Sequence, residues 1–191
     1  MPRWSTGPPA KESSYALRIL RTPAATPLDA IITSVEITGT PTHFLQNRTV
    51  PCEDTEDCPH CQAGHSRRWH GYLACILVDG LEHVLFEFTK IMAQPFQTYS
   101  ELYTTLRGCK FQARRPSKRH NGRVVIKCKR TDPAELRLPE PPNVKKILCH
   151  IWNIQYDPAG DSQDPAGGGR VLGTAPGNGD GRIRSPQKQP K

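Results

Sequence analysis

The sequence predicts a mainly β domain, and three observations predict it. Apolar residues recur with a period of two through most of residues 28–128, the signature of half-buried strands. That period gives way to three or four within Gln94–Leu106, where a helix is expected. Asp79-Gly80 and Asn121-Gly122, both favoured hairpin dipeptides, stand between alternating runs.

In chain order, Tyr15–Leu20 offers a leading strand. Leu28–Thr38 is the first main strand, β-branched and carrying Ile31, Ile32, Val35 and Ile37. Gly71–Val78 is a nearly continuous apolar run, and beyond the Asp79-Gly80 turn Val84, Phe86 and Phe88 alternate. Phe96, Tyr99, Leu102, Tyr103 and Leu106 then share one helical face, with Pro95 suited to the first turn. Cys109, Phe111 and Ala113 alternate, as do Val124, Ile126 and Cys128, with His120-Asn121-Gly122-Arg123 between them as the expected tight turn. Asn143–Trp152, after Pro141-Pro142, reads as a short helix bearing Val144, Ile147, Leu148 and Ile151. Five strands with a helix between the third and fourth follow the order of the OB-fold barrel. The expected architecture is therefore an OB-fold-like five-stranded barrel, with residues 49–67 as a loop inserted between strands one and two.

Composition bounds the folded part. Of 191 residues only 36% are hydrophobic, below the ordinary globular share, so part of the chain is expected to lie outside any core. Residues 157–191 hold eight Gly and five Pro and no aromatic residue, too little apolar surface to offset ordering entropy. A disordered tail is expected there, a disordered arm over 1–12, and one domain over 13–156. No run approaches the ~18 apolar residues of a membrane span. Met1-Pro2-Arg3-Trp4-Ser5 lacks the apolar stretch of a secretory leader, so a cytoplasmic protein with reduced cysteines is expected. The formal charge of +8 points to an anionic partner.

Cys52-x5-Cys58-Pro59-His60-Cys61 lies in a polar stretch with Asn47, Glu53, Asp54, Glu56 and Asp57. Three thiols in a surface loop have little use as packing, and Cys-x2-Cys sets two thiolates at about 2.3 Å from one zinc ion. Spacing alone leaves the fourth ligand open between His43, at the end of the preceding strand, and His65, just beyond Cys61. Three cysteines and a histidine make a closed, structural site. No His-x-Glu partner, nucleophile elbow, phosphate-binding glycine loop or paired-carboxylate motif is found, so no enzyme and no small-molecule substrate is expected. Cys75, Cys109, Cys128 and Cys149 fall on apolar faces and read as packing.

Residues 107–130 hold ten Lys or Arg and no Asp or Glu. Surfaces ordinarily mix both signs, so this field points to a polyanion. Alternation turns Lys110, Arg114, Arg123, Lys127 and Lys129 outward, and the turn adds Arg115, Lys118 and Arg119. Arg48, Arg67 and Arg68 flank the cysteine loop, next to Trp69 and Tyr72, which with Phe44 are candidate faces for stacked bases.

A histidine, then a cysteine, then Cys-Pro-x-Cys in a loop of an OB-like domain resembles the zinc-containing single-stranded-DNA-binding proteins of the T-even phage type. The matching residues are His43, Cys52, Cys58, Pro59 and Cys61. The resemblance implies a structural zinc with His43 as fourth ligand, in a module spanning about 43–66. It also implies a non-enzymatic protein that binds single-stranded DNA with little sequence preference, in replication, repair or mobile-element transfer. RNA is the alternative polyanion, and an adaptor for an acidic protein is the alternative class.

Overall fold

The computed structural model describes residues 17–46, 48–131 and 137–158. The expected arm over 1–12 lies outside the described residues, and so does all of the expected tail but Asp157 and Pro158. Met1–Tyr156 form one unit and Asp157–Lys191 another.

The eight strands are β1 (Arg18–Leu20), β2 (Leu28–Ile32), β3 (Thr38–Leu45), β4 (Arg48–Pro51), β5 (Arg68–Leu77), β6 (His83–Thr89), β7 (Cys109–Arg114) and β8 (Val125–Arg130). Helices α1 (Pro59–Gln62), α2 (Lys90–Tyr103) and α3 (Val144–Trp152) complete the described elements. One mixed sheet runs β1-β6-β5-β2-β7-β8, with β3 paired to β5 and β4 to β3. Mainly β architecture is what the alternation predicts.

The barrel expected from strand order is not formed. Closing the path β6-β5-β2-β7-β8 would require β6 to meet β8. The outer edge of β6 instead takes β1 in parallel, Arg18 opposite Val84 through Leu20 opposite Phe86, so the sheet stays open.

Each face of the sheet carries its own core, which is why Val84–Phe88 of β6 are buried at every position. Val84, Phe86 and Phe88 face α2 with Leu73, Cys75, Phe96 and Phe111. Leu85 faces α3 with Tyr72, Ala74, Val144, Ile147 and Leu148. Asn143 caps α3, its side chain accepting from the Lys146 backbone N–H at 2.8 Å.

Three expected boundaries move. Leu28–Thr38 is not one strand. The backbone turns after Ile32, where the Thr33 and Ser34 N–H groups both donate to the Ala74 carbonyl, and resumes as β3. Pro95 is not in the first helical turn, since α2 begins five residues earlier at Lys90 and carries Pro95 inside it. Asn121-Gly122 is not a two-residue hairpin turn. Pairing of β7 with β8 stops at Arg114 opposite Val125, and residues 115–124 form a longer loop. Arg115 holds that loop, donating to the carbonyls of Thr22 and Gly122.

Candidate metal centre and basic face

His43 stands in β3, opposite Val50 of β4, and is 1% exposed. As β4 ends, the Cys52 N–H donates to the Pro41 carbonyl at 2.9 Å, which brings the first thiol alongside β3. Cys58 is the N-cap of α1 and Pro59 its first residue, so the chain turns tightly there and Cys61 follows within the same turn. The Ala63 N–H bonds back to the Pro59 carbonyl, and Gly64 at φ 78° carries the chain out of the helix.

These constraints bring His43, Cys52, Cys58 and Cys61 together, with one donor atom of each within 4.8 Å of the others. Cys52 Sγ lies 3.8 Å from Cys58 Sγ and 3.7 Å from Cys61 Sγ. His43 Nε2 lies 3.6 Å from Cys58 Sγ and 3.5 Å from Cys61 Sγ. A tetrahedron with zinc–sulfur bonds near 2.3 Å and a zinc–nitrogen bond near 2.05 Å has S–S edges of about 3.8 Å and N–S edges of about 3.6 Å. All four measured edges match. The sulfurs are also far beyond the ~2.05 Å of a disulfide, and all three cysteines are free thiols.

The electrostatics fit the same reading. Backbone N–H groups of Cys61, Glu53 and His60 pull the Cys58 thiol down to about 6, partly opposed by burial. Burial, with the neighbouring Cys52 and Cys58 sulfurs, pushes Cys61 up to about 11. His65 does not belong to the set. Its backbone N–H caps α1 at the His60 carbonyl, and its ring sits 6.3 Å from that of His60.

The basic residues divide by position. Cys109, Phe111 and Ala113 enter the core, which turns Lys110, Gln112 and Arg114 to the opposite face. On β8, Ile126 and Cys128 pack inward while Lys127 and Lys129 are exposed. Register puts Lys110 directly opposite Lys129 and Gln112 opposite Lys127. Gln112 is bonded to Asp29 at 3.1 Å, whereas the two lysines face each other with no acid between them. Lys118, Arg119 and Arg123 are exposed in the loop, and Lys118 is at φ 54°. Arg67 pairs with Asp54 at 2.5 Å, while Arg48 and Arg68 are exposed at the starts of β4 and β5.

The metal cluster and the basic hairpin do not form one cleft. Arg68 opposes Thr42 at the metal end of β5, whereas Ile76, eight residues along, lies level with Ile31 and so with Lys110. At 3.4 Å per residue the two sites are about 27 Å apart along the sheet.

The aromatic candidates separate by burial and by face. Tyr72 is fully buried beneath α3, its ring edge-on to Trp152, so no base can reach it. Trp69 is half-buried on the α2 face, against Phe88 and across Gly39, and parity puts it on the face opposite Lys110 and Lys129. Phe86 is core. Phe44 is 53% exposed.

Sequence reasoning also missed a buried polar group. Glu87 on β6 is 3% exposed, yet it accepts from Arg21 at 2.7 Å and from the Thr49 hydroxyl at 3.0 Å, with the Tyr72 hydroxyl at 3.5 Å. Its position in an alternating apolar run was the available signal. No helix among the described residues is long and apolar enough to cross a membrane. No protein-family model, curated protein or solved structure matches the chain.

Proposed function

We propose that this chain is a non-enzymatic single-stranded-DNA-binding protein, with a structural zinc held by His43, Cys52, Cys58 and Cys61. The observation that carries the binding reading is Lys110 directly opposite Lys129 on an acid-free pair of strands. Like charges placed opposite each other on adjacent strands destabilise a sheet, and a phosphate backbone relieves that cost. Lys127, Arg114 and the exposed loop residues Lys118, Arg119 and Arg123 extend the same field.

The zinc reading rests on the four tetrahedral edges. Four protein donors leave no open coordination position, so the ion would act by holding β3, β4 and α1 together rather than by activating water. The strand path β6-β5-β2-β7-β8 with α2 over one face supports an opened relative of the OB architecture, which commonly presents a sheet to oligonucleotides.

A gel-shift series with single-stranded DNA, duplex DNA and single-stranded RNA tests the proposal. Single-stranded DNA should bind in preference to duplex, with little dependence on base composition. Equal binding to all three, or to none, would contradict it; an adaptor for an acidic protein would give that pattern.

A further inference from the structure

Resting on that reading, we infer that the ring of Phe44 is a base-stacking platform for the same strand, held in place by the buried carboxylate of Glu87 through Arg21. Parity gives the first argument. The hydroxyls of Thr49 and Tyr72 both meet Glu87, so those side chains share the α3 face of the sheet. Phe44 is opposite Thr49, and Tyr72 has the parity of Ile76, which pairs with Ile31 beside Lys110. Phe44 therefore shares a face with Lys110 and Lys129, and Trp69 does not.

The second argument is the clamp behind the ring. Glu87 fixes Arg21 at 2.7 Å, and Arg21 also donates to Thr49. This sets the guanidinium 5.2 Å from the centre of the Phe44 ring. One exposed phenylalanine alone would be unremarkable. Here the ring is backed by a guanidinium held by Glu87 and Thr49, while the residue remains 53% exposed. A base on the open face would be stacked against a polarised ring.

The third argument is the route. Arg107, next to the basic strands, donates to the carbonyls of Leu138 and Pro139, just ahead of α3. The far end of α3 reaches the metal end of the sheet, where Trp152 Nε1 donates to the Thr49 carbonyl at 3.1 Å. Between these ends α3 exposes Lys146 and His150, with no acidic residue in the helix. Its end opens into a groove of about 820 Å³ lined by Arg21, Arg48, Thr49 and Trp152, with Glu87 engaged by Arg21 and Glu53 at its rim. Arg107, Lys146 and Arg48 thus lie along a path from the lysine pair towards Phe44.

Fluorescence anisotropy with a labelled thymidine oligomer of about 20 nucleotides, longer than the ~4–16 that one such module covers, tests the inference. Phe44→Ala and Phe44→Leu should each weaken binding roughly fivefold to a hundredfold, and Phe44→Trp should retain it. The salt dependence should be unchanged, because each Phe44 substitution is charge-neutral and removes no phosphate contact. If Phe44→Leu binds as wild type, the ring is not a stacking platform, whatever Phe44→Ala does. If the Phe44 variants bind as wild type while Lys110 and Lys129 variants lose affinity, this inference falls and the binding proposal stands. If wild-type protein fails to bind the oligomer, the binding proposal itself falls.

Discussion

Cys58→Ser removes one vertex of the tetrahedron, and the structure sets how far the damage should spread. Among residues 53–67 only Cys58 is buried, so apolar packing contributes almost nothing to that segment. A structural zinc contributes apparent energies of order 10 kcal/mol, comparable to the whole ~5–15 kcal/mol stability of a domain. The sheet survives loss of the metal only if the segment is uncoupled from both cores, and neither core contains a residue of 53–67. Metal loss should therefore melt 53–67 locally. Its effect on the sheet comes from buried His43 and Cys52 left without a partner, about 1–3 kcal/mol each, or a fall in melting temperature of roughly 5–15 °C. The assay is elemental analysis, then limited trypsin digestion read by mass spectrometry, then thermal melting. Wild type should carry one zinc per chain and resist cleavage after Arg67; Cys58→Ser should carry none, be cut there, and still melt cooperatively. Wild type without zinc, or a variant with no cooperative transition, would refute the reasoning.

Two further outcomes follow from packing and burial. A Cβ at Gly39 would lie 2.2 Å from the Trp69 ring, so Gly39→Ala should displace the indole and destabilise the domain by about 1–3 kcal/mol, measured by denaturant titration. The same variant should keep its DNA affinity, because Trp69 lies on the face away from the lysine pair. Burial holds His83, whose Nε2 meets the Thr33 hydroxyl at 2.8 Å, below its ordinary 6.5. The unfolded chain then binds the proton more readily than the folded one, so the His83 contribution is present above pH 6.5 and is lost as pH falls below it. His83→Gln should flatten that part of the stability–pH curve, and an unchanged curve would remove His83 as its source.

How legible this was in the sequence depended on where the information lay. The strands β6 to β8 were readable because their core faces alternate locally, as Val84-Phe86-Phe88 and Cys109-Phe111-Ala113 do, and β5 because it is a nearly continuous apolar run. The hairpin of β3 and β4 was not. Its core-facing positions include Gly39, Pro41 and His43 rather than a run of aliphatic residues, and Pro41 cannot donate to a ladder. The three cysteines were readable because metal ligation needs residue types in a tight spacing. The choice of His43 over His65 required the β3–β4 pairing to be known. Barrel closure was not legible either, since three residues at 18–20 decide which strand edge β6 offers. Which aromatic shares a face with Lys110 depends on register across four strands, so the sequence offered Trp69, Tyr72 and Phe44 alike.

The measurement that bears most directly on the central claim is the salt dependence of single-stranded DNA binding. It should be made for wild type and for a Lys110→Gln/Lys127→Gln/Lys129→Gln variant of matched melting temperature. Each phosphate contact contributes about −0.7 to the slope of log affinity against log salt, so losing three should flatten it by about 2 and weaken binding on every sequence. An affinity and slope equal to wild type across the series would mean that the β7–β8 face is only a solvated surface.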